Sequence, residues 1–207
     1  MQKESLELHM MWHLDALLHI FPITIVTTVD NEGRVNAAPY ALVLPFCSSP
    51  SNPQILLISC NLWHTAENIE ATGEFVLNYP RADQLQDILQ TSLFYPAGTN
   101  ELEYTGYTTM AARLVKPPRI VECYQHIECR VHDIIRPSDM QINVIADVLD
   151  ISADAGLYER TRLERARMVN APLYLGVDEG QGHIFGTIGK LLAESVENQL
   201  ELDKKVA

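Results

Sequence analysis

Short stretches rich in β-branched residues, each bounded by turn residues, constrain the fold of this chain more than any other feature. The clearest is residues 23–29 (ITIVTTV), followed by the turn sequence DNEG at residues 30–33 and a second extended segment from Arg34. This order predicts a β-hairpin, because β-branched side chains favour strands while Asp, Asn and Gly favour tight turns. The same signals predict strands over residues 54–59, 75–79, 120–135 and 142–151, and a final strand pair around Gly182.

Helices are predicted at fewer places along the chain. Apolar residues at helical spacing predict a leading amphipathic helix over residues 1–20, which Pro22 stops. A short helix opens near Thr65, with Thr65 as its cap, and ends at Gly73; further helices cover residues 82–90 and 159–168, and residues 96–106 form a loop. Many short strands with few helices between them predict antiparallel pairing, and closure into a barrel removes the exposed sheet edges.

The chain is predicted to form one mainly β domain over residues 1–207, a β-barrel with flanking helices. Its net charge of −12 and lack of a basic cluster argue against a nucleic-acid partner. No apolar run is long enough to span a membrane, and the acidic-polar N-terminus is unlike a secretory signal. Four cysteines in 207 residues do not resemble a disulfide framework, so we expect a reduced, cytoplasmic protein.

A set of soft ligands at a spacing of three residues suggests a metal site, but strand geometry argues against it. In an extended strand Cys123 and Cys129 lie on one face, while His126 and His132 lie on the other. We therefore predict core cysteines, a polar face that includes Glu128, and no metal. The pair His9 and His13 is predicted to lie at a surface or interface, and residues 180–186 (GQGHIFG) to form a hairpin turn rather than a dinucleotide-binding loop.

Two segments contain residues suited to binding a ligand. Residues 36–40 (NAAPY) run from small side chains to a rigid proline and an aromatic ring, so a flat ligand can approach the backbone closely. Residues 60–68 (CNLWHTAEN) run from the end of a strand into a helix, where free amides and the helix dipole favour an anion. Read separately, each segment also fits an ordinary structural role, as a strand exit and as a capped helix.

Together these segments resemble the flavin-reductase-like, FMN-binding split-barrel family. The resemblance runs through residues 22–40 (PITIVTTVDNEGRVNAAPY) and 65–78 (TAENIEATGEFVLN). It continues through residues 103–107 (EYTGY) and 117–123 (PPRIVEC), in the order that the family has. It covers well over half the chain, within residues 21–135, and leaves residues 136–207 as closing strands and a helix.

The resemblance implies a six-stranded Greek-key split barrel that forms a homodimer and binds FMN near the subunit interface. By matching position, the isoalloxazine and ribityl would lie along Thr27, Thr28, Asn36, Ala37, Ala38, Pro39 and Tyr40. The ribityl and phosphate would lie among Cys60, Asn61, His64, Thr65 and Asn68.

The sequence departs from the family pattern at two places. Members often carry Lys or Arg just before the threonine of the phosphate segment, where this chain has Trp63 and His64; Arg34 or a partner-chain residue is the expected substitute. The Asp-Pro-Pro turn common before the third strand is replaced here by Ser51-Asn52-Pro53.

The functional expectation is an FMN-dependent oxidoreductase that takes electrons from NAD(P)H or another donor, with no catalytic residue assigned. The alternative is an FMN-binding electron carrier that a partner protein reduces, with Cys47 or Cys60 as candidate redox thiols. A third hypothesis is a split barrel that binds another ligand, such as haem or pyridoxine phosphate, or that serves only as a structural dimer.

Overall fold

The computed structural model describes Ser5, residues 20–178 and residues 182–191. The predicted leading helix falls on residues of which only Ser5 and Ile20 are described. His9 and His13, and also Gly180 and Gln181 of the predicted hairpin turn, lie outside the described residues.

The described residues form twelve strands and three α-helices. The strands are β1 (Phe21–Pro22), β2 (Thr24–Val29), β3 (Val35–Tyr40), β4 (Val43–Cys47), β5 (Gln54–Cys60), β6 (Glu74–Tyr79), β7 (Thr109–Met110), β8 (Arg119–Ile120), β9 (Gln125–Ser138), β10 (Gln141–Ala153), β11 (Leu173–Asp178) and β12 (Gly182–Gly186). The helices are α1 (His64–Thr72), α2 (Leu85–Gln90) and α3 (Arg162–Val169), with two 3-10 helices, Ala82–Gln84 and Glu101–Tyr104.

Seven strands make one antiparallel sheet in the order β3-β2-β6-β9-β10-β5-β4. Its two edge strands, β3 and β4, follow each other in the chain with only Ala41 and Leu42 between them. They therefore act as one bent strand that closes the sheet, which gives the predicted barrel of six strands. The path is a Greek key, because β6 lies beside β2 and not beside β5, the strand that precedes it in the chain.

The predicted β2–β3 hairpin is confirmed. Thr24 pairs with Tyr40 at one end and Val29 with Val35 at the other. Gly33 turns the chain at φ +80°, in the left-handed region that glycine adopts without strain, and its amide donates to the Asp30 carbonyl at 3.0 Å. The long β9–β10 hairpin and the closing pair β11–β12 are likewise present, and β11 also pairs with β1.

Two apolar clusters hold these elements together. Val26, Leu57, Phe75 and Val144 are among the residues that fill the barrel, and each has no exposed surface. A second cluster, which includes Ile23, Ile88 and Leu102, packs α2 and the Glu101–Tyr104 helix against the outside of β2 and β3. Burial of such side chains contributes about 1.5–3 kcal/mol each before conformational entropy is subtracted. This second cluster brings the Glu101–Tyr104 helix beside the start of α1.

The predicted polar face of β9 is wrong in its first half. His126 is 5% exposed and Glu128 is fully buried, because β8 and the segment before it fold over them. The Glu128 carboxylate accepts the backbone amides of Arg113 (2.8 Å) and Leu114 (2.7 Å), while His126 Nε2 lies 2.7 Å from the Ile120 carbonyl oxygen. A buried carboxylate is tolerated here because several donors satisfy it.

The predicted burial of Cys123 and Cys129 in the core is confirmed. Cys123 and Cys129 are buried, Cys47 and Cys60 are half-buried, and none of the four is in a disulfide. Within residues 20–178 and 182–191, no group of three or more His, Cys, Asp or Glu is arranged to hold a metal ion. In the same part of the chain, no helix has the length and apolar character needed to cross a bilayer.

Candidate cofactor-binding site

The start of helix α1 leaves backbone donors free. Trp63 is the N-cap residue and makes no side-chain capping bond, so the prediction of Thr65 as the cap is wrong; Thr65 is the second helical residue. The Trp63 carbonyl accepts the amides of Ala66 (2.9 Å) and Glu67 (3.1 Å). Among the described residues, the amides of His64 and Thr65 have no hydrogen-bond acceptor. Free amides at the positive end of a nine-residue helix form a favourable position for an anion.

These amides lie beside a cavity of about 750 Å³. Strand β3, the start of α1, helix α2 with the loop after it, and the β11–β12 hairpin form its walls. Its size is within the range of pockets that bind cofactors. Six of the predicted cofactor-binding residues line it, namely Asn36, Ala38, Pro39, Tyr40, His64 and Thr65.

Three predicted residues of β2 and β3 lie behind this wall. Thr27 is fully buried, and its hydroxyl donates to the Pro118 carbonyl at 2.6 Å. Thr28, also fully buried, accepts a hydrogen bond of 3.0 Å from the Asn68 side-chain amide. Ala37 is fully buried and faces the second apolar cluster. These residues fix the strands that carry the cavity wall.

The remaining predicted residues surround the base of α1 without lining the cavity. Asn68 joins α1 to β2 through its bond to Thr28. The side-chain amide of Asn61 donates to the Asp139 carbonyl, which ties the β5–α1 connection to the β9–β10 turn. Cys60 is half-buried, and its carbonyl accepts the Trp63 amide at 3.3 Å. They set the position and direction of the helix start.

Glu101 also lines the cavity, and the sequence analysis did not identify it. It is only 5% exposed, and its Oε2 atom accepts the Ala37 backbone amide at 2.7 Å. Burial raises the pKa of the Glu101 carboxyl, while the Ala37 amide and the nearby His64 act in the opposite direction. Residues 96–106 were predicted to be a loop, but residues 101–104 form a 3-10 helix that carries Glu101 inward.

Asn36 links Glu101 to Thr65. The two ends of an amide side chain are assigned from their hydrogen-bond partners. When the Asn36 NH₂ group faces Glu101 Oε1 at 3.1 Å, its oxygen accepts the Thr65 hydroxyl at 3.0 Å. This orientation satisfies both ends of the amide beside an ionised carboxylate.

An aromatic cluster on the β11–β12 hairpin forms another part of the wall. Tyr174, His183 and Phe185 all line the cavity, and the Tyr174 and Phe185 ring centroids are 5.6 Å apart. The Tyr174 hydroxyl lies 3.1 Å from His183 Nδ1, and burial raises the pKa of Tyr174. The alternation of His183 and Phe185 along β12 is visible in the sequence, but the approach of this hairpin to β3 depends on long-range packing.

Among the described residues, no lysine or arginine lines the cavity. Arg34, the expected substitute for the family's basic residue, instead binds Asp30 (2.6 Å) and Glu32 (3.0 Å). Its guanidinium lies against Gly98, where an added Cβ would meet Arg34 atoms at 3.1 Å. An anion at the start of α1 would therefore be held by the backbone amides, the Thr65 hydroxyl and His64, and not by a lysine or arginine of the described lining.

Comparison with known proteins agrees with this architecture. Residues 18–173 match the family model described as a flavin reductase like domain. The chain therefore belongs to the flavin reductase-like family. An uncharacterized protein of Methanothermobacter thermautotrophicus is 34% identical over 113 residues, which are 55% of this chain and 52% of that protein. The chain thus spans about half the length of that relative.

Solved structures share the fold at low sequence identity. Component B of nitrilotriacetate monooxygenase from Bacillus cereus superposes with a TM-score of 0.79 at 20% identity, covering 93% of this chain and 100% of that one. Flavoredoxin of Desulfovibrio vulgaris gives a TM-score of 0.76 at 18% identity, with coverage of 95% and 99%. A split-barrel protein of Shewanella frigidimarina gives 0.76 at 20% identity, with coverage of 88% and 89%. These similarities show the split-barrel fold.

Proposed function

We propose that this chain binds FMN in the cavity beside α1 and acts as a flavin-dependent oxidoreductase, supplied with electrons by NAD(P)H or another donor. The observation that carries the proposal is the pair of free amides, His64 and Thr65, opening onto a cavity whose wall includes Ala38 and Pro39. Membership of the flavin reductase-like family supports a flavin as the ligand.

The residues at the start of α1 fit a phosphate. The two free amides, the Thr65 hydroxyl and the His64 ring are all donors at a helix N-terminus. Each hydrogen bond to a charged group contributes about 1.5–3 kcal/mol. The acidic surface of the protein opposes this weakly, because charges farther than about 8 Å are largely screened at physiological salt.

The β3 wall fits a flat ring. Ala38 and Pro39 present little side-chain bulk, and Pro39 has no backbone amide to leave unsatisfied. Tyr40 continues the wall and packs edge-on against Trp63, with ring centroids 5.7 Å apart. The bound flavin supplies the electron-transfer chemistry, while these residues hold and orient it. We propose that Thr27, Thr28, Ala37, Cys60, Asn61 and Asn68 contribute by positioning this wall and α1.

Isolation followed by spectroscopy tests the proposal. Protein purified without added flavin, and then titrated with FMN, should show the visible absorption of a bound flavin. Anaerobic mixing with NADH and NADPH should bleach that absorption if either is the donor. Protein that stays colourless and leaves micromolar FMN unbound contradicts the proposal.

A second candidate function is an electron carrier that a partner protein reduces. The described lining holds no lysine or arginine to pair with the phosphates of a nicotinamide dinucleotide, and the fold resembles a flavoredoxin. Neither Cys47 nor Cys60 lines the cavity, so this candidate does not use them beside the flavin. Slow reduction of the bound flavin by both nicotinamide donors, with fast reduction by a reduced partner flavoprotein or iron–sulfur protein, distinguishes the carrier from the oxidoreductase.

We also propose that the protein is a homodimer. Apolar side chains at the cavity rim are exposed in the single chain, including Phe94 (95%), Leu62 (64%) and Trp63 (42%). A second copy would remove such surface from water. Sedimentation equilibrium should give twice the chain mass, and Phe94→Ser should weaken the dimer. A monomer at all concentrations contradicts this proposal and leaves the flavin proposal standing.

A further inference from the structure

The atoms around Asn36 are compatible with two hydrogen-bond patterns. One end of its side-chain amide lies 3.1 Å from Glu101 Oε1, and the other end lies 3.0 Å from Thr65 Oγ1. Which end is the NH₂ group depends on whether Glu101 carries a proton, because a carboxylate only accepts hydrogen bonds whereas a carboxylic acid also donates one.

With Glu101 ionised, the Asn36 NH₂ group donates to Glu101 Oε1 and the Asn36 oxygen accepts from Thr65 Oγ1. A hydroxyl has one proton. In this pattern the Thr65 hydroxyl donates its only hydrogen bond to Asn36, so it cannot donate one to a ligand in the cavity.

With Glu101 protonated, the opposite pattern is satisfied. The carboxylic acid donates to the Asn36 oxygen, and the Asn36 NH₂ group donates to Thr65 Oγ1 (3.0 Å) and Thr28 Oγ1 (3.3 Å). The Thr65 hydroxyl then accepts from Asn36, and its own proton is free.

We propose that Glu101, Asn36 and Thr65 form a proton-linked relay, in which protonation of Glu101 turns the Asn36 amide over and frees the Thr65 hydroxyl to donate to an anionic ligand. The proposal rests on the proposed function, because it assigns the flavin phosphate to the start of α1. It makes Glu101 a positioning residue, which acts on the ligand through Asn36 and Thr65. Its consequence is that FMN binding takes up a proton.

The surroundings of Glu101 favour such proton uptake. Burial raises the pKa of the carboxyl, and an anion bound beside His64 and Thr65 adds negative charge that favours the protonated form further. On α1, His64 is the ionisable residue that acts on Glu101, and it lowers the pKa of the Glu101 carboxyl. From α2, Asp87 is turned toward the Gly106 amide at 2.9 Å, and Glu103 on Glu101's own helix is exposed.

Proton uptake can be measured directly in the full-length protein. FMN is titrated calorimetrically between pH 5 and pH 8 in buffers that differ in ionisation enthalpy, and the buffer dependence of the heat gives the protons bound per FMN. Riboflavin, which lacks the phosphate, is titrated in parallel. The FMN phosphate itself titrates at about pH 6, so the relay is measured by the difference in proton uptake between the wild type and a variant without the Glu101 carboxyl. We expect this difference to reach about one proton per FMN at its maximum, and riboflavin to show an uptake near zero.

Glu101→Gln tests the assignment of the proton to Glu101. A glutamine side chain keeps the acceptor for the Ala37 amide and offers Asn36 a permanent donor, so it mimics the protonated acid. The variant should take up about one proton less per FMN than the wild type where wild-type uptake is greatest and, at pH 8, should bind FMN about tenfold more tightly than the wild type. Glu103→Gln, on the same 3-10 helix but exposed, should behave as the wild type.

Changes at Thr65 and His64 keep the test decisive if Glu101→Gln folds poorly. Thr65→Val should lose most of the pH dependence of FMN binding, and Thr65→Ser, which restores the hydroxyl, should recover it. Proton uptake that disappears in His64→Asn but persists in Glu101→Gln assigns the proton to His64 and overturns the relay. Equal proton uptake by the wild type and Glu101→Gln also overturns it and leaves the proposed function intact, whereas absence of FMN binding removes both.

Discussion

The Glu101 Oε2 atom lies 2.7 Å from the backbone nitrogen of Ala37, and this hydrogen bond joins the 3-10 helix Glu101–Tyr104 to strand β3. It places a buried carboxyl group beside β3, where Glu101 itself forms part of the cavity wall. The hydrogen bond between Glu101 and Ala37 therefore fixes a titratable group to the cavity wall. Changing Glu101 should affect the stability of the protein, the pH dependence of that stability and the binding of a ligand.

Replacing Glu101 with alanine should lower the free energy of unfolding by about 1–3 kcal/mol, because the buried Ala37 amide loses its acceptor. Urea denaturation of the protein without ligand measures this. Glu103→Ala is the matched control on the same helix; its exposed side chain predicts a change within about 0.5 kcal/mol. Equal effects of the two substitutions would contradict the role given to Glu101.

The stability of the unliganded protein should depend on pH through Glu101. Because burial raises the pKa of this carboxyl above its ordinary value of 4.5, the folded state holds the proton at pH values where the unfolded state has lost it. This contribution to stability is complete below pH 4.5, and it is lost as the pH rises through the folded-state pKa. Denaturation midpoints across this range should show the loss in the wild type, while Glu101→Gln should lack that part of the profile. Parallel profiles would contradict the prediction.

Thr65→Ala should weaken FMN binding about 5–150-fold, equivalent to about 1–3 kcal/mol, by removing one hydrogen bond to the phosphate. Quenching of flavin fluorescence measures the affinity. Thr72→Ala is the control in the same helix, since the Thr72 hydroxyl donates to the Asn68 carbonyl at 2.8 Å and does not line the cavity. Unchanged retention of FMN in Thr65→Ala would mean that the phosphate lies elsewhere.

Ala38→Leu should weaken FMN and riboflavin alike, by about tenfold or more, because the added side chain occupies the space assigned to the ring. Equilibrium dialysis with both flavins measures this. Ala111→Leu, at an exposed position away from the cavity, serves as the control. A loss confined to FMN would place the phosphate, and not the ring, near Ala38.

Thr161→Ala should destabilise the protein by about 1 kcal/mol and leave flavin affinity unchanged. Thr161 caps α3 by accepting the Glu164 amide at 3.3 Å, and the Glu164 carboxylate accepts the Thr161 amide at 2.9 Å. Helix α3 contributes no residue to the cavity lining. Thermal unfolding and FMN titration of the same sample measure both quantities; a change in FMN affinity would contradict the separation of α3 from the site.

The elements with strong local signals were predictable from the sequence. The β2–β3 hairpin has β-branched strands around a turn that needs Gly33, and α1 ends at Gly73, which adopts φ +71°. Strand β4 was not predicted, since Pro45 within it argues against a strand. Its place at the sheet edge, where it continues from β3, explains why proline is accepted there.

The parts of the site that depend on long-range packing were not predictable. Glu101 lies in a segment whose sequence predicts a solvent-exposed loop. Its burial depends on contact with Ala37 of β3, 64 residues away along the chain. Tyr174 and His183 reach the cavity because β11 pairs with β1. Local patterns do not encode such contacts, whereas the segments around Ala38 and Thr65 were found because each carries its own local signal.

The most direct test of the account is a side-by-side equilibrium titration of the purified, flavin-free protein with FMN and with riboflavin. We predict that FMN binds at micromolar concentration or below, and that riboflavin binds at least about tenfold more weakly because it lacks the phosphate held at the start of α1. Equal affinities would contradict the phosphate site, and failure to bind either flavin would contradict the proposed function itself.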